Sequence, residues 1–206
     1  KGSSEYFYQG SYTGNGTARS ITGVGFQPDF IFSKRTSGST TQGRAGFGSA
    51  PTYAFPFSAI NPGTGIINSF DSDGFSISSN STLNTGGSRY DFFAIKVPTG
   101  YGIQTTYAGN NTDNTNISLG FRPEFILMKK ITGGQQFAGR NAAMVGDDTI
   151  IYAPSTANAT DRIQDFIASG FTVGANAQVN TTGTYHFIAL RDFPGDHKPY
   201  SFFMGM

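Results

Sequence analysis

The stretch Gly25-Phe26-Gln27-Pro28-Asp29-Phe30-Ile31-Phe32-Ser33-Lys34 decides how the chain is read. It returns as Gly120-Phe121-Arg122-Pro123-Glu124-Phe125-Ile126-Leu127-Met128-Lys129. Phe26 recurs as Phe121, an offset of 121 − 26 = 95. Each copy runs from a glycine and an aromatic through a proline and an acid into apolar residues and a lysine. Proline has no N–H to give to a ladder and sits at the start or edge of a strand. The apolar run that follows has the β-branched and aromatic content of a buried strand.

Working outward, the same spacing holds on both sides. Tyr12, Gly14, Asn15 and Thr17 return as Tyr107, Gly109, Asn110 and Thr112. Asp73-Gly74-Phe75-Ser76-Ile77 returns as Ser169-Gly170-Phe171-Thr172-Val173, and Tyr90-Asp91-Phe92-Phe93-Ala94-Ile95-Lys96 as Tyr185-His186-Phe187-Ile188-Ala189-Leu190-Arg191. Matched blocks in one order at nearly one offset mark an internal duplication, and its period is that of a domain rather than of a solenoid unit.

Between these blocks the chain reads as short strands and turns. Gly14-Asn15-Gly16 tolerates positive φ and closes a turn. Tyr53, Phe55 and Phe57 alternate along one strand face, which Pro56 assigns to an edge. Residues 36–48 are too poor in apolar side chains to read as core, and 158–167 admits a helical turn or two as the less favoured alternative, in the second copy only. Turns recur every 8–12 residues, the mark of an antiparallel sandwich or barrel. The expected architecture is all-β: two tandem antiparallel β-sandwich, jelly-roll-like domains over 1–98 and 99–192, with a tail over 193–206.

Composition excludes several classes. Only 13% of residues are charged and the net charge is +1, so no field concentrates nucleic acid or anionic lipid. Cysteine is absent, which removes disulfides and thiolate chemistry. No apolar run is long enough for a membrane-spanning helix. The chain starts at Lys1 rather than Met, which reads as a processed or fragmentary product.

The motif set Tyr-x-Gly-Asn-Gly/Asn-Thr, Gly-Phe-x-Pro-Asp/Glu-Phe-Ile-x-x-Lys, Gly-Phe-Ser/Thr-Ile/Val and Tyr-x-Phe-x-Ala-Ile/Leu-Lys/Arg covers 12–96 and 107–191. It resembles a β-rich domain that recurs in tandem in tail-fibre and other virion proteins of tailed bacteriophages. The resemblance implies a structural or host-recognition module and carries over no catalytic residue. In that family the aromatic of the last strand is often Trp; Phe92, Phe93 and Phe187 stand here instead.

The candidate sites each have a structural alternative. Tyr53, Phe55 and Phe57, rimmed by Asn, Ser and Thr, form a candidate sugar-stacking face; a core face accounts for them too, since Ile150-Ile151-Tyr152 holds a comparable place. Arg44 and Arg140 follow glycines in corresponding loops and read either as shared ligand contacts or as loop braces. Asp71-Ser72-Asp73-Gly74 begins like a cation loop but lacks the later bidentate acid, which favours a turn. His186 and His197 stand in no Ser/His/acid pattern. The Asn-x-Ser/Thr sequences at Asn15, Asn80, Asn110, Asn116, Asn158 and Asn180 follow from composition. The apolar end, Phe202, Phe203 and Met204, is the expected oligomer contact.

The expectation is therefore a non-enzymatic virion protein: a tail fibre, spike or capsid decoration, extracellular and without metal or cofactor. It would assemble as a homo-oligomer, with a trimer favoured, alongside other virion proteins, and contact a bacterial surface glycan through the loops 36–48 and 131–142. It would not bind nucleic acid or insert in a membrane. The alternative is a secreted carbohydrate-binding module.

Overall fold

The structure is a computed structural model that describes residues 5–37, 43–152 and 156–191. The first half holds β1 (Phe7–Thr13), β2 (Arg19–Ile21), β3 (Phe30–Arg35), β4 (Arg44–Phe47), β5 (Ala50–Pro56), β6 (Gly63–Thr64), β7 (Ile67–Asp71), β8 (Gly74–Ile77), the helical turn α1 (Ser81–Asn84) and β9 (Arg89–Ile95). The second holds β10 (Gly102–Gly109), β11 (Thr115–Ser118), β12 (Phe125–Lys130), β13 (Phe137–Asn141), β14 (Ile150–Tyr152), β15 (Ile163–Ile167), β16 (Gly170–Val173) and β17 (Gly183–Leu190).

Each half is an antiparallel sandwich of one large and one small sheet. In the first, the large sheet runs β1-β9-β3-β4-β5-β6 and the small one β2-β8-β7; in the second they run β10-β17-β12-β13-β14 and β11-β16-β15. The first strand pairs with the last and the second with the one before it, a jelly-roll-like wrap. Register repeats with the sequence: Phe30 stands opposite Ile95 as Phe125 does opposite Leu190.

The quoted phrase forms the central strands β3 and β12; both faces are covered along all of β12 and over the first residues of β3. Ile31, Tyr90, Phe92 and Ala94 point at the small sheet, against Ile67, Phe75 and Ile77. Ile126, Met128, Phe187 and Ala189 do the same in the second sandwich, against Ile163, Phe171 and Val173. A strand buried on two faces reads as an unbroken apolar run, which is why alternation is missing from Phe125 to Met128.

The other repeated motif residues hold the fold. Tyr12 stacks on Tyr90 at 5.1 Å, and Tyr107 on Tyr185 at 5.1 Å. Tyr12 donates to the Leu83 carbonyl at 2.8 Å, and Tyr107 to that of Val179. Burial pushes both phenols above their ordinary range. Asn15 and Asn110 each accept the backbone N–H two residues on, closing side-chain turns. Gly14 and Gly109 are required by space, since a Cβ would stand 2.3 Å from the Thr85 carbonyl oxygen and 2.2 Å from that of Thr181.

The structure decides several expectations. The segment 36–48 contains β4, and 131–142 contains β13; both are interior strands of the large sheets, with Ala45, Phe47, Phe137 and Ala138 fully buried. Arg44–Phe47 and Phe137–Asn141 therefore belong to the sheets rather than to exposed binding loops. Residues 163–167 form strand β15, not helix; the helical turn is α1, whose N-cap Asn80 accepts from Thr82 N–H. Asn180 is fully buried and cannot accept a glycan in the folded chain. Asp73 accepts from Gly23 N–H and Gly25 N–H, which hold its carboxyl below the usual range, so the 71–74 segment is a braced hairpin turn. The tail, with Phe202, Phe203 and Met204, lies outside the described residues.

Candidate functional site

The two large sheets pack on one another through their outer faces, so the sandwiches share a third core. Phe30, Ala45, Phe47, Phe55 and Ile95 come from the first domain; Phe125, Leu127, Phe137, Ile188 and Leu190 come from the second. Phe57 stacks on Phe137 at 4.3 Å and meets Tyr152 edge-on at 5.9 Å. Phe47 stacks on Phe137 at 6.1 Å. Each buried ring of this kind is worth about 1.5–3 kcal/mol in removed apolar surface, enough together to fix the domains relative to one another.

This placement corrects the sugar-stacking candidate. Tyr53, Phe55 and Phe57 do share one strand face, but that face looks at the second domain; Phe55 is 0% exposed, and the other two are half-buried. Their alternation identified a face without saying what covers it.

Polar groups pin the same interface. The β4–β5 turn of the first domain reaches the second, where Ser49 N–H donates to Gln104 Oε1 at 2.8 Å. That contact sets the amide's orientation, so Gln104 Nε2 donates to Ser49 Oγ at 2.6 Å. The Ser49 hydroxyl proton is left for His186 Nδ1, 2.7 Å away. His186 is thus held as the neutral tautomer protonated on Nε2, and burial between Phe47 and Phe55 lowers its pKa to about 4.

Lys129 enters the same interface, donating to the carbonyls of Pro56 and Ser58 and lying 5.3 Å from the Phe137 ring centre. It has no carboxylate partner among the described residues. Burial, with a smaller contribution from the nearby Arg44 charge, lowers its pKa to about 7.

The two candidate arginines do not form a repeated site. Arg44 pairs in register with Ser33, whereas Arg140 pairs with Ile126, so they stand at different ladder positions. Arg140 is buried and donates to the carbonyls of Asp148, Gly146 and Ile163, fastening the 142–149 loop to its own domain. Arg44 is half-buried, and desolvation lowers its pKa.

The sequence reading missed Asn84 and Asn180. Asn84 is fully buried; it donates to the carbonyls of Thr17 and Ser78, both at 2.7 Å, and accepts Asn15 N–H at 2.9 Å. Asn180 donates to the Thr112 carbonyl at 2.7 Å and Asn110 Oδ1 at 3.0 Å, and accepts Asn110 N–H at 3.0 Å. The match of Leu83-Asn84-Thr85 to Val179-Asn180-Thr181 was the available signal.

A groove with a volume of about 390 Å³ is present among the described residues. It lies on the outer face of the first domain's large sheet, at the rim of the shared core. Phe32 and Phe93 floor it; Gln9, Lys34, Arg35, Thr36 and Asp91 line its edge. It holds no repeated acid pair, and no group of three or more metal-ligating side chains occurs among the described residues. Aromatic rings and hydrogen-bonding side chains stand together in its lining.

A family model described as a domain of unknown function, DUF7483, matches the chain twice, over residues 2–97 and 90–194. Those matches follow the two sandwiches. No curated protein and no solved structure matches the chain.

Proposed function

We propose a role for this chain, which belongs to the DUF7483 family, as a non-enzymatic structural and attachment protein of tailed-bacteriophage particles. It would form part of a tail fibre, spike or capsid decoration and work outside the cell. The observation that carries this reading is the shared core. Faces that each sandwich could have offered to a ligand are used to lock two domains into one block, as suits a part that transmits position rather than performs a reaction. The resemblance of the repeated motifs to virion repeat domains supports the same class, as does a surface with few charges. Contact with a host glycan and assembly with other virion proteins belong to this proposal.

The competing role, a secreted carbohydrate-binding module, has lost its ring platform at Tyr53, Phe55 and Phe57 and keeps only the groove over Phe32 and Phe93. Antibodies raised against the purified chain decide between them by immunogold labelling of particles and of cell-free medium from the source culture. Gold at a regular position on particles is the expected result. Label confined to soluble protein, with particles bare, would overturn the virion role.

A further inference from the structure

The sequence holds a single Asn-Gly pair, Asn15-Gly16, in the turn between β1 and β2. Asparagine before glycine is prone to spontaneous deamidation, because no side chain shields the glycine nitrogen and the glycine backbone bends freely toward the asparagine amide. Both residues are exposed, so water reaches the turn. The reaction needs the Gly16 nitrogen released from its hydrogen bond and brought up to Asn15 Cγ.

Asn84, the buried last residue of α1, opposes both steps. Its carbonyl accepts Gly16 N–H at 3.0 Å and its side-chain oxygen accepts Asn15 N–H at 2.9 Å. Its amide donates to the Thr17 carbonyl at 2.7 Å. Asn15 Oδ1 is engaged as well, accepting Thr17 N–H at 3.0 Å. One residue thus holds the backbone of all three turn residues, and it does so from the end of a four-residue helical turn. So short a helix opens at small cost compared with a sheet.

The second copy keeps the grip and lacks the reactive pair. Asn180 accepts Asn111 N–H at 2.8 Å and Asn110 N–H at 3.0 Å, and donates to the Thr112 carbonyl at 2.7 Å. Asn111 stands where the first copy has Gly16, at φ 62° against 75°. Space does not demand the glycine, since a Cβ on Gly16 would meet nothing within 4 Å. Asn110 Oδ1 is also held more firmly, accepting from Thr115 Oγ1 and Asn180 Nδ2, both at 3.0 Å, besides Thr112 N–H.

We propose that Asn15-Gly16 is a deamidation site gated by Asn84. When the α1 turn opens, the Gly16 nitrogen gives its proton to water and attacks Asn15 Cγ. The new N–C bond forms as the side-chain nitrogen leaves as ammonia, which closes a five-membered imide. One water then opens the ring at either carbonyl, leaving aspartate or isoaspartate at position 15. No oxidant or reductant is needed. Isoaspartate routes the backbone through one more carbon, so the contacts to Asn84 cannot re-form in register and the opening becomes permanent. The formal net charge, +1 in the unmodified chain, falls by one. The first domain thus carries a chemical record of its own opening that the second does not.

The test is peptide mapping by mass spectrometry of the full chain held in mildly alkaline buffer, native and in urea, for wild type and Asn84→Ala, with circular dichroism checking the variant's fold. Native wild type should form the acidic product at position 15 at least ~10-fold more slowly than the urea-unfolded chain. Asn84→Ala should remove most of that difference, while Asn110 stays an amide in the native samples. Hydrogen exchange gives a readout that needs no variant: below the urea transition, deamidation should rise with the exchange of Gly16 N–H, ahead of the amides of β3 and β9. A native chain that reacts as fast as the unfolded one, equal reaction at Asn110, or a folded Asn84→Ala protein with the wild-type rate would each overturn the gate. So would deamidation that rises only with global unfolding.

Discussion

Ser49 Oγ lies 2.7 Å from His186 Nδ1, so a turn of the first sandwich is hydrogen-bonded to the last strand of the second. The bond ties the two copies of a duplicated sequence into one object, and it does so through a group that titrates. Burial lowers the pKa of His186 from 6.5 to about 4. Below pH 4 both folded and unfolded states carry the proton, and the folded state bears the desolvation cost; above 6.5 neither does.

Stability should therefore fall as pH drops from 6.5 to 4, by about 3 kcal/mol at most for this group. Urea unfolding at stepped pH measures it, with His186→Phe as the comparison. The variant should show a flatter slope across that window; an unchanged slope would assign the acid sensitivity to other groups.

Lys129 produces a second window with the same sign. Its pKa falls from 10.5 to about 7 in the folded chain, so the unfolded state binds more protons between those values and stability should rise with pH across them. Lys129→Met should abolish that rise. Its stability at pH 6 decides a further point: the carbonyls of Pro56 and Ser58 lose their donor, which costs about 1–3 kcal/mol each if they stay dry, against relief of a buried charge. A Lys129→Met protein with the wild-type slope from pH 7 to 10 would contradict the assignment.

Asn84 and Asn180 should be equally intolerant of substitution. Each supplies two donors and one acceptor to backbone or side chain in a buried turn. Asn84→Ala or Asn180→Ala leaves several polar groups unpaired and should cost roughly 3 kcal/mol or more. Denaturant midpoints check this, and a loss below about 1 kcal/mol would show that water replaces the amide.

How much of this was legible in the sequence depended on which physical signal each strand carries. The phrase around Phe30 and Phe125 announced buried strands because burial on both faces demands continuous apolar residues, and the Tyr90 and Tyr185 blocks announced strands through their repetition and aromatic content. β4 and β13 gave no such signal. Their Gly46 and Gly139 exist to let neighbours in: a Cβ on Gly46 would stand 2.7 Å from Ile67 Cδ1, and one on Gly139 2.8 Å from the Tyr152 ring. A strand thinned for packing looks like a loop by composition. The ring face of Tyr53, Phe55 and Phe57 was visible as a face, but its partner was about a domain away in sequence. Only the structure brings Phe57 to Phe137. The groove was invisible for the same reason, since Gln9, Phe32 and Asp91 lie on three different strands.

Phe47→Ala tests the shared core locally. Phe47 is fully buried between Phe30, Phe55 and Phe137, and truncation should cost about 3–5 kcal/mol. Because the ring touches both domains, the loss should lower the stability of both. Hydrogen exchange resolves this: amides of β12 and β17 should lose protection along with those of β3 and β9. Protection lost only in the first domain would mean that the rings touch without coupling.

Calorimetry of the intact chain addresses the central claim, that two duplicated sandwiches share one core, most directly. The account expects a single transition whose calorimetric and van't Hoff enthalpies agree, with a total near 140 kcal/mol at about 60 °C, scaled from roughly 0.7 kcal/mol per residue. Two resolved transitions, each with about half that enthalpy, would show domains that unfold independently and would contradict it.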